Sequence, residues 1–163
     1  MGKQTMVSNQ DKSPDMASES PATDAVTVDP SRLKLLVVDN EAAHARAMTE
    51  SLEKVGYVCE VATSGPDAAK LIERETYDII ITDMVMNDVD GMQILKLAQD
   101  RLPECEVVMV TGHATVPIAV EAMQRGAFNF LEKPITPNRL RAIAEKAAEA
   151  VFLKRQNTEL LQR

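Results

Sequence analysis

From Leu33 onward, short apolar runs alternate with segments of helical period. The runs KLLVV (34–38), YVCEVA (57–62), DIII (78–81), EVVMV (106–110) and FNFL (128–131) predict five strands. Between them, apolar positions recur at helical spacing over 41–54, 66–75, 91–101 and 115–125. A last helix is predicted from Pro137 toward the end of the chain, with Leu140, Ile143, Ala144, Ala147 and Val151 as its apolar stripe. Five β-α units in alternation imply a doubly wound α/β domain: a mostly parallel five-stranded sheet with helices on both faces. LLVV, DIII and VVMV are apolar throughout, as expected of interior parallel strands covered on both sides. YVCEVA is more mixed and suits an edge. Residues 1–31 are rich in Ser, Thr, Asp, Asn and Gln, include three prolines and lack helical period, and they predict a disordered polar tail.

Composition narrows the function classes. The 163 residues suffice for one domain with extensions, here expected at 32–150 with a helical extension or linker at 151–163. The net charge of −7 and the absence of Trp argue against direct nucleic-acid binding. Cys59 and Cys105 lack CxxC spacing and are expected to be buried free thiols. No apolar run reaches the ~18 residues of a membrane span, and the N-terminus lacks the apolar core of a secretory signal. A soluble, cytoplasmic protein without a membrane partner is expected.

The strand ends carry the chemistry. KLLVV runs into Asp39, DIII runs through Thr82 into Asp83, EVVMV ends in Thr111, and FNFLE ends in Lys133. In a parallel sheet these ends share one edge, where open α/β sheets bind their ligands. Two carboxylates there offer hard oxygen ligands suited to Mg²⁺. The Lys ammonium offsets their repulsion, and Thr and Lys are donors to phosphoryl oxygens. An Asp carboxylate can itself be a nucleophile and form an aspartyl phosphate.

The segments VVDNE (37–41), TDMVMNDVDG (82–91), VTGHAT (110–115) and GAFNFLEKPI (126–135) together resemble the receiver domains of two-component response regulators. VTGHATVPIAVEAM and GAFNFLEKP look most like receivers of the NtrC type, which precede an ATPase domain in sigma-factor-dependent transcription activators. The resemblance implies a flavodoxin-like sheet of order 2-1-3-4-5 with five helices, the last one extended. It implies that Asp83 accepts a phosphoryl group from a sensor histidine kinase. Asp39 and Asn40, with the Val85 carbonyl and Asp83, would hold Mg²⁺. Lys133 would pair with Asp83 and then with a phosphoryl oxygen, and Thr111 would turn inward to it. Phe130 would be the switch aromatic, and His113 and Val85 would flank the phosphoryl group. The resemblance also implies a cis Lys133–Pro134 bond. The helix 4–strand 5–helix 5 face would then control homodimerisation or output. The protein would be a regulatory phosphoacceptor whose only catalysis is its own phosphorylation and dephosphorylation.

Some positions depart from the family pattern. Asn40 stands where a second acidic residue is expected, which removes one charge from the metal site. Asn87 replaces a loop proline. His44 reads as a helix-surface residue. Ala150, Leu153, Asn157 and Leu160 form a short a/d seam suited to a marginal coiled coil. No GxxxxGK[ST] loop is present, so any ATPase output domain would lie outside this chain, which would be a fragment or a stand-alone receiver. Other readings remain: a receiver-like interaction module independent of phosphorylation, a metal-dependent aspartyl-phosphate phosphohydrolase, and a flavodoxin-like electron carrier. Val85, where a phosphohydrolase would have its acid/base Asp, argues against the second. The scarcity of aromatics argues against the third.

Overall fold

A computed structural model describes residues 27–113 and 115–161. Five strands are present: β1 (Lys34–Val38), β2 (Val58–Ala62), β3 (Ile79–Asp83), β4 (Glu106–Thr111) and β5 (Asn129–Glu132). They alternate with α1 (Ala42–Glu53), α2 (Gly65–Arg74), α3 (Gly91–Arg101), α4 (Val116–Gln124) and α5 (Pro137–Leu161). All strand pairs are parallel, in the order β2-β1-β3-β4-β5, so the expected doubly wound sheet is present and the mixed run 57–62 forms an edge.

The apolar runs are explained by which face each residue feeds. Successive side chains of a strand point to opposite faces. Leu35, Val37, Ile79, Ile81, Val108 and Val110 join the core beneath α1 and α5. Leu36, Val38, Ile80, Val107 and Met109 join the core beneath α2, α3 and α4. A central strand with two covered faces has no solvent face on which to place a polar residue.

The helix starts are set by local chemistry. Ser64 caps α2 by accepting from the Asp67 amide. Asp90 and Gln93 form a reciprocal capping box at α3. Thr115 caps α4, with a proline in its first turn. The Asp88–Asp90 carboxylates of the loop are thus divided: Asp90 is a cap, and Asp88 sits in an exposed turn with φ +69°.

Two expected boundaries move. Most of the predicted tail, residues 1–26, lies outside the described residues. Its last part joins the folded body instead: Pro30–Arg32 is a 3-10 turn capped by Asp29, and Val28 packs against the α1/α5 core. At the other end, α5 passes through residue 150 without a break. Val151 is fully buried, and Lys154 and Arg155 form ion pairs with Glu106 and Asp78 at the amino edge of the sheet. The first turn of the expected extension is therefore part of the domain. The stripe Leu140, Ala144, Ala147 and Val151 is covered by the chain's own sheet, whereas Leu153 and Leu160 of the seam are 56% and 66% exposed.

Candidate functional site

The sheet register brings the strand ends together. Val38 is level with Thr82, Asp83 with Val110, and Thr111 with Glu132. Asp39 and Lys133 follow directly on β1 and β5, and the backbone ladder continues through them: Asp39 N donates to Ala62 O and Lys133 N to Thr111 O. Met84 N donates to Val110 O at 2.8 Å, which fixes the loop after Asp83. Gly91 closes that loop from behind. A Cβ on it would stand 2.7 Å from the Asp83 carbonyl oxygen and 2.8 Å from Met84 Cα, so only glycine lets α3 begin against the strand end.

Asp39, Asp83 and Lys133 form one cluster. Lys133 Nζ lies 3.0 Å from Asp39 Oδ2 and 3.3 Å from Asp83 Oδ2, so two carboxylates share one ammonium. Asp39 is fully buried and Asp83 is 7% exposed. Burial pushes the Asp39 carboxyl up, but hydrogen bonds from His44, the Glu41 amide and Lys133 outweigh it and leave the group below the usual carboxylate range. Burial likewise works against the Lys133 charge, yet its bonds to Asp39 and the charges of both aspartates hold the ammonium above the usual lysine range. Among the described residues, Asp83 Oδ1 receives only the Val85 amide, at 3.4 Å.

Thr111 is buried at the end of β4, and its Oγ1 accepts from the His113 amide at 3.2 Å. His113 itself is exposed. Phe130 is half-buried on β5 and packs against the α2/α3/α4 core. The Lys133–Pro134 bond is cis. Asn40 is exposed and lines an open depression with Thr63, Ser64, Met86 and Asp88 beside the cluster.

One expectation fails. His44 is not a plain helix-surface residue. Its half-buried ring turns back from the first turn of α1, and Nδ1–H donates to Asp39 Oδ2. A carboxylate facing it can only accept, which assigns the proton to Nδ1. The signal available in the sequence is its spacing, five residues after a strand-end aspartate and inside the next helix's first turn.

The donor set suits a hard divalent cation. Two buried carboxylates with one ammonium between them leave uncompensated negative charge, and the Asn40 amide and Val85 carbonyl belong to the adjoining loops. Among the described residues, no three His, Cys, Asp or Glu side chains converge as a metal cage.

Residues 35–145 match the family of response regulator receiver domains. The alginate biosynthesis transcriptional regulatory protein AlgB of Pseudomonas aeruginosa is 37% identical over 116 residues, which is 71% of this chain and 26% of that protein. The chain thus spans about a quarter of the length of such curated relatives. Among solved structures, NtrX from Brucella abortus superposes with a TM-score of 0.73 at 32% identity, covering 78% of this chain and 29% of that one. The beryllofluoride-activated NtrC4 receiver domain, a dimer in solution, gives 0.69 at 32% identity, covering 72% of this chain and 98% of that one. The cluster at the sheet edge and the matched span coincide, and the chain belongs to the response regulator receiver family, with relatives among the NtrC-type transcription regulators.

Proposed function

We propose that this receiver is a phosphorylation-controlled switch whose phosphoacceptor is Asp83, charged by a sensor histidine kinase. The observation that carries the reading is the shared ammonium: Lys133 bridges Asp39 and Asp83, and among the described residues the other Asp83 oxygen receives only a long backbone contact. That oxygen is free to attack. It would form a P–O bond as the P–N bond of the phosphohistidine breaks, and the leaving imidazole would take its electron pair and a proton. Lys133 would then move its hydrogen bond onto a phosphoryl oxygen, and Thr111 would donate its hydroxyl to another. Mg²⁺, held by Asp39, Asp83, the Val85 carbonyl and the Asn40 amide, would neutralise charge on the transferring group. Val85 and His113 would flank the phosphoryl group and govern water access to it.

The output would follow from Thr111 and Phe130. Moving Thr111 inward vacates space beside β5, and Phe130 would repack there and alter the face of α4, β5 and α5. Within α4, Val116, Val120 and Met123 are exposed at helical spacing, with Val116 78% exposed. A second copy of the domain is the proposed partner, with a downstream ATPase or transcription output domain as the element controlled. The site sits in cytoplasmic signalling chemistry, with no direct contact to nucleic acid.

Incubation with acetyl phosphate and Mg²⁺, followed by intact-mass measurement, tests this. One hydroxylamine-sensitive phosphoryl group is expected. An unchanged mass over a wide Mg²⁺ range would favour a receiver that works without phosphorylation.

A further inference from the structure

We infer that His44 is a built-in competitor for the divalent cation at Asp39, its hydrogen bond weakening the carboxylate's hold on the metal; this rests on the proposed role of the cluster as a metal and phosphoryl site. A carboxylate offers about four acceptor directions. On Asp39, Oδ1 accepts from the Glu41 amide at 2.9 Å, while Oδ2 accepts from both Lys133 Nζ and His44 Nδ1. Asp39 is fully buried.

The two oxygens are not equivalent. Oδ2 of Asp39 and Oδ2 of Asp83 contact the same ammonium, so they are the pair that looks across the pocket. Among the described residues, the Asp83 oxygen has Lys133 alone, whereas the Asp39 oxygen has Lys133 and His44. His44 therefore draws on the same Asp39 charge that a cation there would use. A donor to a carboxylate also bonds more strongly to the free anion than to one already coordinated, because the metal withdraws charge from the oxygens. The imidazole thus stabilises the metal-free state more than the loaded one.

The position of the ring supports a part beyond helix packing. α1 has no side-chain cap: Glu41 at its N-cap makes no such bond. The first turn is held instead through the Glu41 amide on Asp39, and His44 rises from that same turn. A single carboxylate thus anchors the start of α1 and receives the ring that guards it. Since Asn40 adds no charge, metal loading would be weakened twice, once by a missing anion and once by an occupied one.

Calorimetric Mg²⁺ titration separates the possibilities in the full chain and in the variants His44→Ala and His44→Asn. The Asn amide can donate from about the place of Nδ1. His44→Ala should bind Mg²⁺ roughly tenfold more tightly, the scale of one hydrogen bond to a charged group, and His44→Asn should stay near the parent. A purely structural histidine would lower the urea midpoint while leaving Mg²⁺ affinity alone in both variants, and that result would overturn the inference. So would weaker Mg²⁺ binding by His44→Ala, which would make the ring an orienting partner or a ligand. If neither parent nor variants bind Mg²⁺, the metal-dependent function proposed above falls with it; if the parent binds and His44→Ala is unchanged, only the inference falls.

Discussion

The two edges of the sheet both bury carboxylates, and they neutralise them differently. At the amino edge, Asp78 is 7% exposed and accepts from the Lys34 amide at 2.7 Å and from Arg155. Glu106 beside it is equally buried and pairs with Lys154. Each of these two buried carboxylates meets a different cation of α5, although Arg155 also reaches the half-exposed Glu104 at 3.6 Å. At the carboxyl edge, Asp39 and Asp83 divide one ammonium between them. A buried charge that is fully paired fixes structure and offers a ligand nothing. A pair held short of neutrality stays poised for a cation or a phosphoryl group, at some cost to stability. The same residue types therefore make a fastening at one end and the proposed reactive site at the other.

Breaking the reactive edge should give the largest effect. Asp83→Asn leaves Lys133 with Asp39 alone and removes the attacking oxygen, so phosphoryl incorporation from acetyl phosphate should fall to nothing by intact mass. Equal labelling of that variant would move the phosphoacceptor elsewhere.

Breaking the fastening should do the opposite. A chain ending after Ala150 loses Val151, Lys154 and Arg155 and strands Asp78 and Glu106. It should lose about 3 kcal/mol of stability in urea unfolding, a part from the cavity and a part from the unpaired carboxylates. Its folded fraction should still accept phosphate at Asp83. Unchanged stability would mean that the ion pairs at the amino edge contribute nothing.

Sharpening the charge deficit is the next smaller effect. Asn40→Asp adds a third carboxylate to the deficient edge, and Mg²⁺ should bind roughly tenfold more tightly, well below the ~4 kcal/mol of a bare unit-charge contact at an effective dielectric of 20. Titration that shows equal affinities would place residue 40 outside the metal's reach.

The smallest effect on folding is expected beyond the fastening. Leu153 and Leu160 are exposed, so replacing both with Ser should change stability by less than ~0.5 kcal/mol each. Sedimentation with and without phosphodonor should nonetheless show a weaker dimer than the parent forms. A dimer indifferent to these leucines would shift the interface to α4, where Val116, Val120 and Met123 are exposed.

Much of this was legible before any fold was known. Runs such as DIII and VVMV are apolar at every position because their alternate residues enter two different cores, and that periodicity is visible in one dimension. Asp39, Asp83, Thr111 and Lys133 could be placed on a common edge because parallel strands end in one direction. His44 could not. It looks polar and helical, and only the path of the chain from β1 into α1 turns its ring back onto Asp39. Nor does an apolar stripe say what covers it: α5 lays Leu140 to Val151 on the chain's own sheet.

The sequence by itself determined the order of the elements, the alternating period of each, and the four chemical groups at the strand ends. Those depend on local pattern and on the single polarity of a parallel sheet. Tertiary structure alone decided how the charges are shared. Lys133 lies 94 residues from Asp39 and 50 from Asp83, and Arg155 lies 77 from Asp78. Whether such a cation serves one carboxylate or two depends on distances of about an ångström set by packing, and a carboxylate's reactivity changes with them.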